Sequence, residues 1–229
     1  MSGPQWSGPQ LAGNWDVVWH YALVHVRHTV ASLGLGTLVA APLAYVAHRS
    51  PRIYAVLLVA TNIVYAIPSL AMFLLLMPMF GVVSDTPVIV AMALYSLVIL
   101  VRGIVEGLRA VPDGAVAAAS AMGYSVPRRF FAVELPLAMP TIVAALRLAT
   151  VSTVSLISVG GLIGKGGLGR LFADGFARRI NVEIAAAIGA VVVLAFAADV
   201  LLLAAGRLAT PWTRSRQRSA SRAPAGSAA

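Results

Sequence analysis

The residues of this chain that could do chemistry are few, and their spacing argues against catalysis. The 229 residues include four histidines and no cysteine, so no disulfide, thiolate nucleophile or cysteine metal site is available. His20, His25 and His28 cluster, but Asp16 is the only carboxylate nearby, a poor donor set for a metal ion. No paired carboxylates and no nucleophile–base set accompany them. Gly164, Gly166 and Gly169 satisfy G-x-G-x-x-G. A dinucleotide site needs a strand before that pattern, and here a long apolar run precedes it. Lys165 is followed by Gly166 where a phosphate-binding loop requires Ser or Thr, so the stretch, with Gly167, reads as a tight turn. Two charges stand out instead. Arg147 and Asp199 lie inside apolar runs, where a lone charge is expensive. At 1.5 Å rise per residue each sits about 12–14 Å from the same end of its run. They are expected to pair with each other; separate pairing, with backbone carbonyls or another subunit, is the alternative.

The elements that hold these residues are membrane spans. The composition is 59% hydrophobic and 11% charged, with a mean hydropathy of +0.87. A soluble domain carries about twice that charged fraction. Several apolar runs can cross a hydrocarbon core of about 30 Å. The expected fold is an all-α integral membrane protein with five spans, at 29–47, 53–80, 88–107, 137–163 and 184–206. The second is overlong and holds Pro68 and Pro78. It could tilt, kink at Pro68, or break into two halves, and a sixth full crossing there is the alternative.

Charge sets the orientation. Five crossings place the loop at 48–52, the loop at 109–136 and the C-terminus on one side. That side collects Arg49, Arg52, Arg109, Arg128, Arg129, Arg207, Arg214, Arg216, Arg218 and Arg222, so it is expected to be cytoplasmic, with the N-terminus outside. Net charge is +9, yet a basic tail beside a span fits anionic lipid headgroups rather than nucleic acid. Lys165, Arg170, Arg178 and Arg179 on the other side are a partial exception. The expected organisation is a flexible segment at 1–20 with a repeated SGPQ, a membrane domain at 21–208 and a disordered basic tail at 209–229. No signal peptide is expected, because the first apolar run is long and no basic residue precedes it except Arg27 at its edge.

The loop between the third and fourth spans is more ordered than a connection requires. Pro112 suits the first turn of a helix and Asp113 its positive end. Ala115, Ala117, Ala118, Ala119 and Ala121 favour the helix, and Gly123 stops it. Ser125 can cap a second short helix with Pro127 in its first turn. A helix of small residues lets another protein approach closely.

This segment resembles the cytoplasmic signature of binding-protein-dependent ABC importer permeases, E-A-A, three residues, G, a spacer, then L-P. Ala118-Ala119, Gly123 and Leu135-Pro136 are in register. The family's glutamate falls on Ala117, which removes its polar contact and leaves packing through Ala118, Ala119, Met122 and Gly123, with Arg128 and Arg129 at the edge. Further stretches, Ala66-Ile67-Pro68-Ser69-Leu70, Pro78-Met79-Phe80-Gly81, Val101-Arg102-Gly103 and Ile163-Gly164-Lys165-Gly166-Gly167-Leu168-Gly169, follow the order seen in permeases for glycine betaine, choline, carnitine and related osmoprotectants.

The resemblance implies a type I ABC importer permease and a transporter subunit rather than an enzyme. It implies four partners: an ATP-binding subunit that carries ATP and Mg, a second permease of the same or another kind, an extracytoplasmic solute-binding protein, and membrane lipid. No cofactor is expected on this chain. It also gives the glycine turn a role in closing the outer gate. Methionine or another amino acid is the rival solute, and a structural membrane subunit that moves no solute is the rival class. Asn62, Tyr65, Pro68, Ser69 and Phe73 are candidate path residues, Tyr65 and Phe73 through their rings toward a cation. The plainer alternatives are a packing kink at Pro68 and rings facing lipid or core. Arg102, Glu106 and Arg109 share a helix face and are expected to form ion pairs.

Overall fold

A computed structural model describes residues 15–211, so the SGPQ repeat, Arg214, Arg216, Arg218 and Arg222 lie outside the described residues. Every regular element described is helical. In chain order these are α1 (Trp15–His48), α2 (Pro51–Ala66), α3 (Ser69–Phe80), α4 (Thr86–Arg109), α5 (Asp113–Ala121), α6 (Val126–Arg129), α7 (Leu135–Ile157), α8 (Leu168–Arg178) and α9 (Asn181–Ala209). A π-helical turn, Phe130–Glu134, joins α6 to α7, and a 3₁₀ turn, Ser158–Ile163, follows α7.

Four helices or continuous helical runs are long and apolar enough to cross a membrane, and the α2–α3 pair makes a fifth crossing with a 94° bend. Pro68 sits at that bend as the N-cap of α3. It can donate no hydrogen bond, which weakens the helix at this point. Of the three possibilities for this stretch, the break is observed. The pair carries the chain across once. At its start Tyr54 lies under Arg109, the last residue of α4, 4.5 Å from ring centroid to guanidinium. After its end, Asp85 meets Arg27 on α1 at 3.0 Å. A sixth full crossing is therefore not present among the described residues. Five crossings put α5 and α6 at one end of the bundle, the loop end, and Asp85 with the glycine turn at the other, the turn end.

Small residues let the central helices close on one another. Ala40, Ala44 and Ala47 of α1, Leu100, Val101, Ile104, Val105 and Leu108 of α4, and Ala138 and Ala149 of α7 form one buried core. A Cβ on Gly103 would collide with Ala145, and one on Gly107 would stand 3.1 Å from the Ala138 carbonyl. Lipid tails give apolar helices no reason to associate, so close backbone approach must supply the attraction. α4 is the centre of the bundle, whereas the apolar window of α9 is only 6% buried.

Two boundaries differ from expectation. α1 begins at Trp15, within the stretch expected to be flexible, because Val18 packs on Leu168, Leu171 and Ala187. Trp15 and Trp19 stay exposed there, as aromatic residues do at a membrane–water boundary. α7 extends back through Pro136 into the loop. The π turn makes this possible: Leu135 N–H donates to the Phe130 carbonyl, a longer reach that carries the helix past the missing proline donor.

Candidate functional site

The ordered loop is the first site. α5 is capped by Pro112, one residue earlier than its expected place in the first turn, with Asp113 at the positive end. Its far end closes as a Schellman motif: Tyr124 N–H donates to the Ala119 carbonyl at 3.1 Å, and Gly123 N–H to the Ser120 carbonyl at 3.0 Å. The motif needs a left-handed residue, and Gly123 supplies it with φ +80°. Ser125 takes the N-cap position of α6 but its side chain makes no capping bond; Pro127 is in the first turn as expected.

Salt links and rings fasten α5 to the bundle. Arg129 Nε donates to Glu134 Oε1 at 2.8 Å while its Nη1 donates to Ser120 Oγ at 2.8 Å. Phe130 packs edge-on against Tyr45 of α1, centroids 4.8 Å apart. Arg128 stays exposed over the Tyr124 ring at 4.4 Å. The helix therefore presents two sides. Ala119 is buried, facing the bundle, so it is not part of an open docking face. Ala117, Ala118, Met122 and Gly123 are exposed, and Leu135 and Pro136 are half-buried. Met122, Val126 and Phe131 add an exposed apolar rim. Glu134 and its clasp with Arg129 were not read from sequence as a unit, although the i, i+5 spacing across a helix was visible.

The second site is the interior of the spans. Arg147 Nε and Nη2 donate to the two Asp199 carboxylate oxygens at 2.8 and 2.7 Å. This fork-to-fork pair joins α7 to α9 and leaves neither charge alone at membrane depth. Arg102 and Glu106 pair at 3.2 Å; Arg109 instead lies over Tyr54.

Of the path candidates, Asn62, Tyr65 and Pro68 are exposed and Ser69 is half-buried. Phe73 is wholly buried in a core of Met72, Leu76, Val88, Ala91, Met92, Tyr95 and Ile157, so it opens onto no path within this chain. Tyr95 was missed: its hydroxyl donates to the Ile67 carbonyl at 2.6 Å, satisfying a group next to the Pro68 break that hydrocarbon would leave bare.

The third site is at the turn end. The glycine turn sits directly on α1, since a Cβ on Gly167, whose φ is +55°, would stand 2.7 Å from the His25 backbone nitrogen. Gly161 and Gly169 touch closely enough that a Cβ on either would collide with backbone, and Gly164 ends the 3₁₀ turn in a left-handed conformation. Gly166 is likewise left-handed against the Ile157 carbonyl. Two cations and a histidine converge on Asp85: Arg27 at 3.0 Å, Lys165 at 3.6 Å and the buried His28 at 3.1 Å. Lys165 also donates to the Val83 carbonyl at 2.6 Å. Burial opposes ionisation of Asp85, but His28, Lys165 and Arg27 outweigh it and hold the carboxyl below its ordinary range. No group of three or more metal-ligating side chains occurs among the described residues. α8, also missed, follows the turn; its Leu168, Leu171 and Gly175 face inward at helical spacing.

These features define a class: a multi-pass helical membrane protein whose bundle carries a firmly held surface helix at one end. The comparisons narrow it. Residues 32–214 match the model of the family described as binding-protein-dependent transport system inner membrane component. The chain belongs to that family and is a transporter subunit. It is 31% identical over 187 residues to the choline transport system permease protein OpuBB of Bacillus subtilis, covering 82% of this chain and 86% of that one. It is 40% identical over 116 residues to the ergothioneine transport permease/ergothioneine binding protein EgtU of Helicobacter pylori, covering 51% of this chain and 21% of that one. A solved inward-facing structure of the MetNI methionine ABC transporter superposes with a TM-score of 0.74 at 21% identity, covering 90% of this chain and all of that one. At that identity the likeness speaks for the fold, an ABC importer permease architecture.

Proposed function

We propose that this chain is the permease subunit of an ATP-driven importer of quaternary-ammonium osmoprotectants such as glycine betaine, choline or carnitine. The observation that carries the reading is α5: a small-residue helix, closed by Gly123 and clasped to the bundle by Arg129, whose exposed face is apolar. A separate ATP-binding subunit, holding ATP and Mg, docks on that face. The loop end is cytoplasmic, where Arg49, Arg52, Arg109 and Arg128 gather. A solute-binding protein delivers cargo at the turn end, and a second permease completes the path. Closure of the ATP-binding subunits pushes α5; the Arg129–Glu134 clasp passes the push into α7. Catalysis belongs to the ATPase, while this chain supplies the lever and part of the path.

The solute class rests on the choline relative and on the osmoprotectant motif order. The test is ATPase activity of the purified assembly in lipid, with binding protein and each of glycine betaine, choline, carnitine, ergothioneine and methionine. Stimulation by the trimethylammonium compounds, abolished in Gly123→Trp, is the expected result. Stimulation by methionine alone would replace the solute class and keep the transporter. An intact complex that no solute stimulates, and that moves none, would favour a structural subunit.

A further inference from the structure

The bend at Pro68 does more than interrupt a span. The Tyr95 hydroxyl is committed to the Ile67 carbonyl, which fixes the Tyr95 ring on α4. The Tyr65 ring stands edge-on to it, centroids 5.6 Å apart at 69°. Tyr65 is 44% exposed, and its hydroxyl has no protein partner among the described residues. Ser152 of α7 borders the same cleft between α2, α4 and α7, and its hydroxyl is likewise unpartnered. Asn62, exposed one turn before Tyr65, extends the polar edge. Unpartnered polar groups on spans are costly against hydrocarbon and cheap against water. No charged side chain lines the cleft.

An exposed aromatic ring beside neutral hydroxyls, with no carboxylate, suits one kind of ligand. A trimethylammonium head is a diffuse cation with an apolar surface, attracted by ring faces and needing no acceptor. A primary ammonium is held more tightly by water and needs a carboxylate or several acceptors in its place, where the cleft offers only hydroxyl oxygens. Without a carboxylate the attraction stays weak, as passage requires. The depth fits a path: Tyr65 lies 14 residues beyond Pro51 and Tyr95 lies 14 before Arg109, each about 21 Å from the loop end. In this conformation the cleft is too narrow to admit even a water, so occupation requires α2 and α7 to part.

We propose that Tyr65 and Ser152 line a transient trimethylammonium site on the translocation path, with Tyr95 as the positioning residue for Tyr65. The inference rests on the osmoprotectant reading and names the residues that act on it.

The absence of cysteine in this chain gives a clean test. In the full complex with ATP-binding subunit and binding protein, single variants Tyr65→Cys, Ser152→Cys and Phe73→Cys are exposed to a methanethiosulfonate bearing a trimethylammonium group. Modification of this chain is read by mass. Positions 65 and 152 are expected to react during ATP turnover, to be slowed by choline, and to outpace the buried position 73. Separately, Tyr65→Leu should lower choline uptake about threefold or more while Tyr65→Phe keeps it. Tyr95→Phe should raise the choline concentration needed for half-maximal uptake more than it lowers the maximal rate, because the ring loses its tie to the Ile67 carbonyl. Wild-type uptake of choline with no reaction at 65 and 152, no protection, or normal uptake by Tyr65→Leu, would overturn the site alone. A wild-type complex that transports no trimethylammonium compound would overturn the solute reading, and the site with it.

Discussion

Single residues decide how firmly the lever is held. Gly123 adopts a conformation that costs other residues about 1–2 kcal/mol, yet the space beside it is open. Gly123→Ala therefore strains backbone without a clash. Solute-stimulated ATPase activity in proteoliposomes should fall about fivefold or more, and less for Gly123→Asn, which tolerates the left-handed region better. Equal activity of all three proteins would show that the Schellman end does not matter to coupling. Arg147 and Asp199 pose a different case. Either charge alone would be stranded between α7 and α9. Arg147→Asp or Asp199→Arg should each lose most of the folded protein recovered in detergent, and the combined swap should recover much of it. A swap no better than the singles would mean that surroundings, not the pair, hold the two charges.

At the scale of elements, Asp85 ties α1, the start of α4 and the glycine turn into one unit. Its carboxyl is held below the ordinary range. The tie therefore contributes stability above the ordinary carboxylate pKa and loses it as pH falls through the lowered value. Wild type should melt about 2–4 °C above Asp85→Asn near neutrality, since solvent screens this half-exposed group. The gap should close below about pH 4. A gap that persists in acid would place the effect in packing rather than charge. The unit also shows where sequence reading stops. Spans were legible because apolar length is a local property, and the loop was legible because Pro112, the alanines and Gly123 signal a helix and its stop. The Arg147–Asp199 pair could be named because only two charges sat at matching depths. The Asp85 cluster could not, since its partners at 27, 28 and 165 are brought together only by packing. Phe73 failed as a path residue for the same reason: spacing does not tell which face of a broken span turns inward. α8 was hidden by the glycine turn, although its apolar 168, 171 and 175 repeat at helical spacing.

At the scale of the whole molecule, we propose that the chain works as half of a pair. Its core is built from α1, α4 and α7, and the cleft at Tyr65 lies at the chain's surface rather than along an enclosed channel. A solute crossing there would meet lipid on one side unless another chain covers it. Exposed Asn62, Tyr65, Leu148 and Val151 lie on helices that border this face. The covering chain we propose is a second permease, and Ala117 argues for a different one. The family signature places a glutamate there, whereas this chain offers a methyl group on the exposed side of α5. A partner permease that keeps the glutamate would supply the polar contact to one ATP-binding subunit while this chain docks by packing alone. Native mass measurement of the complex should then find two permease species in equal number. Ala117→Glu in this chain should leave assembly intact and change solute-stimulated ATPase activity little, because the polar contact is already provided in trans. A complex with two copies of this chain, whose coupling rises when Ala117→Glu is introduced, would instead mean that the chain pairs with itself and tolerates a weakened lever.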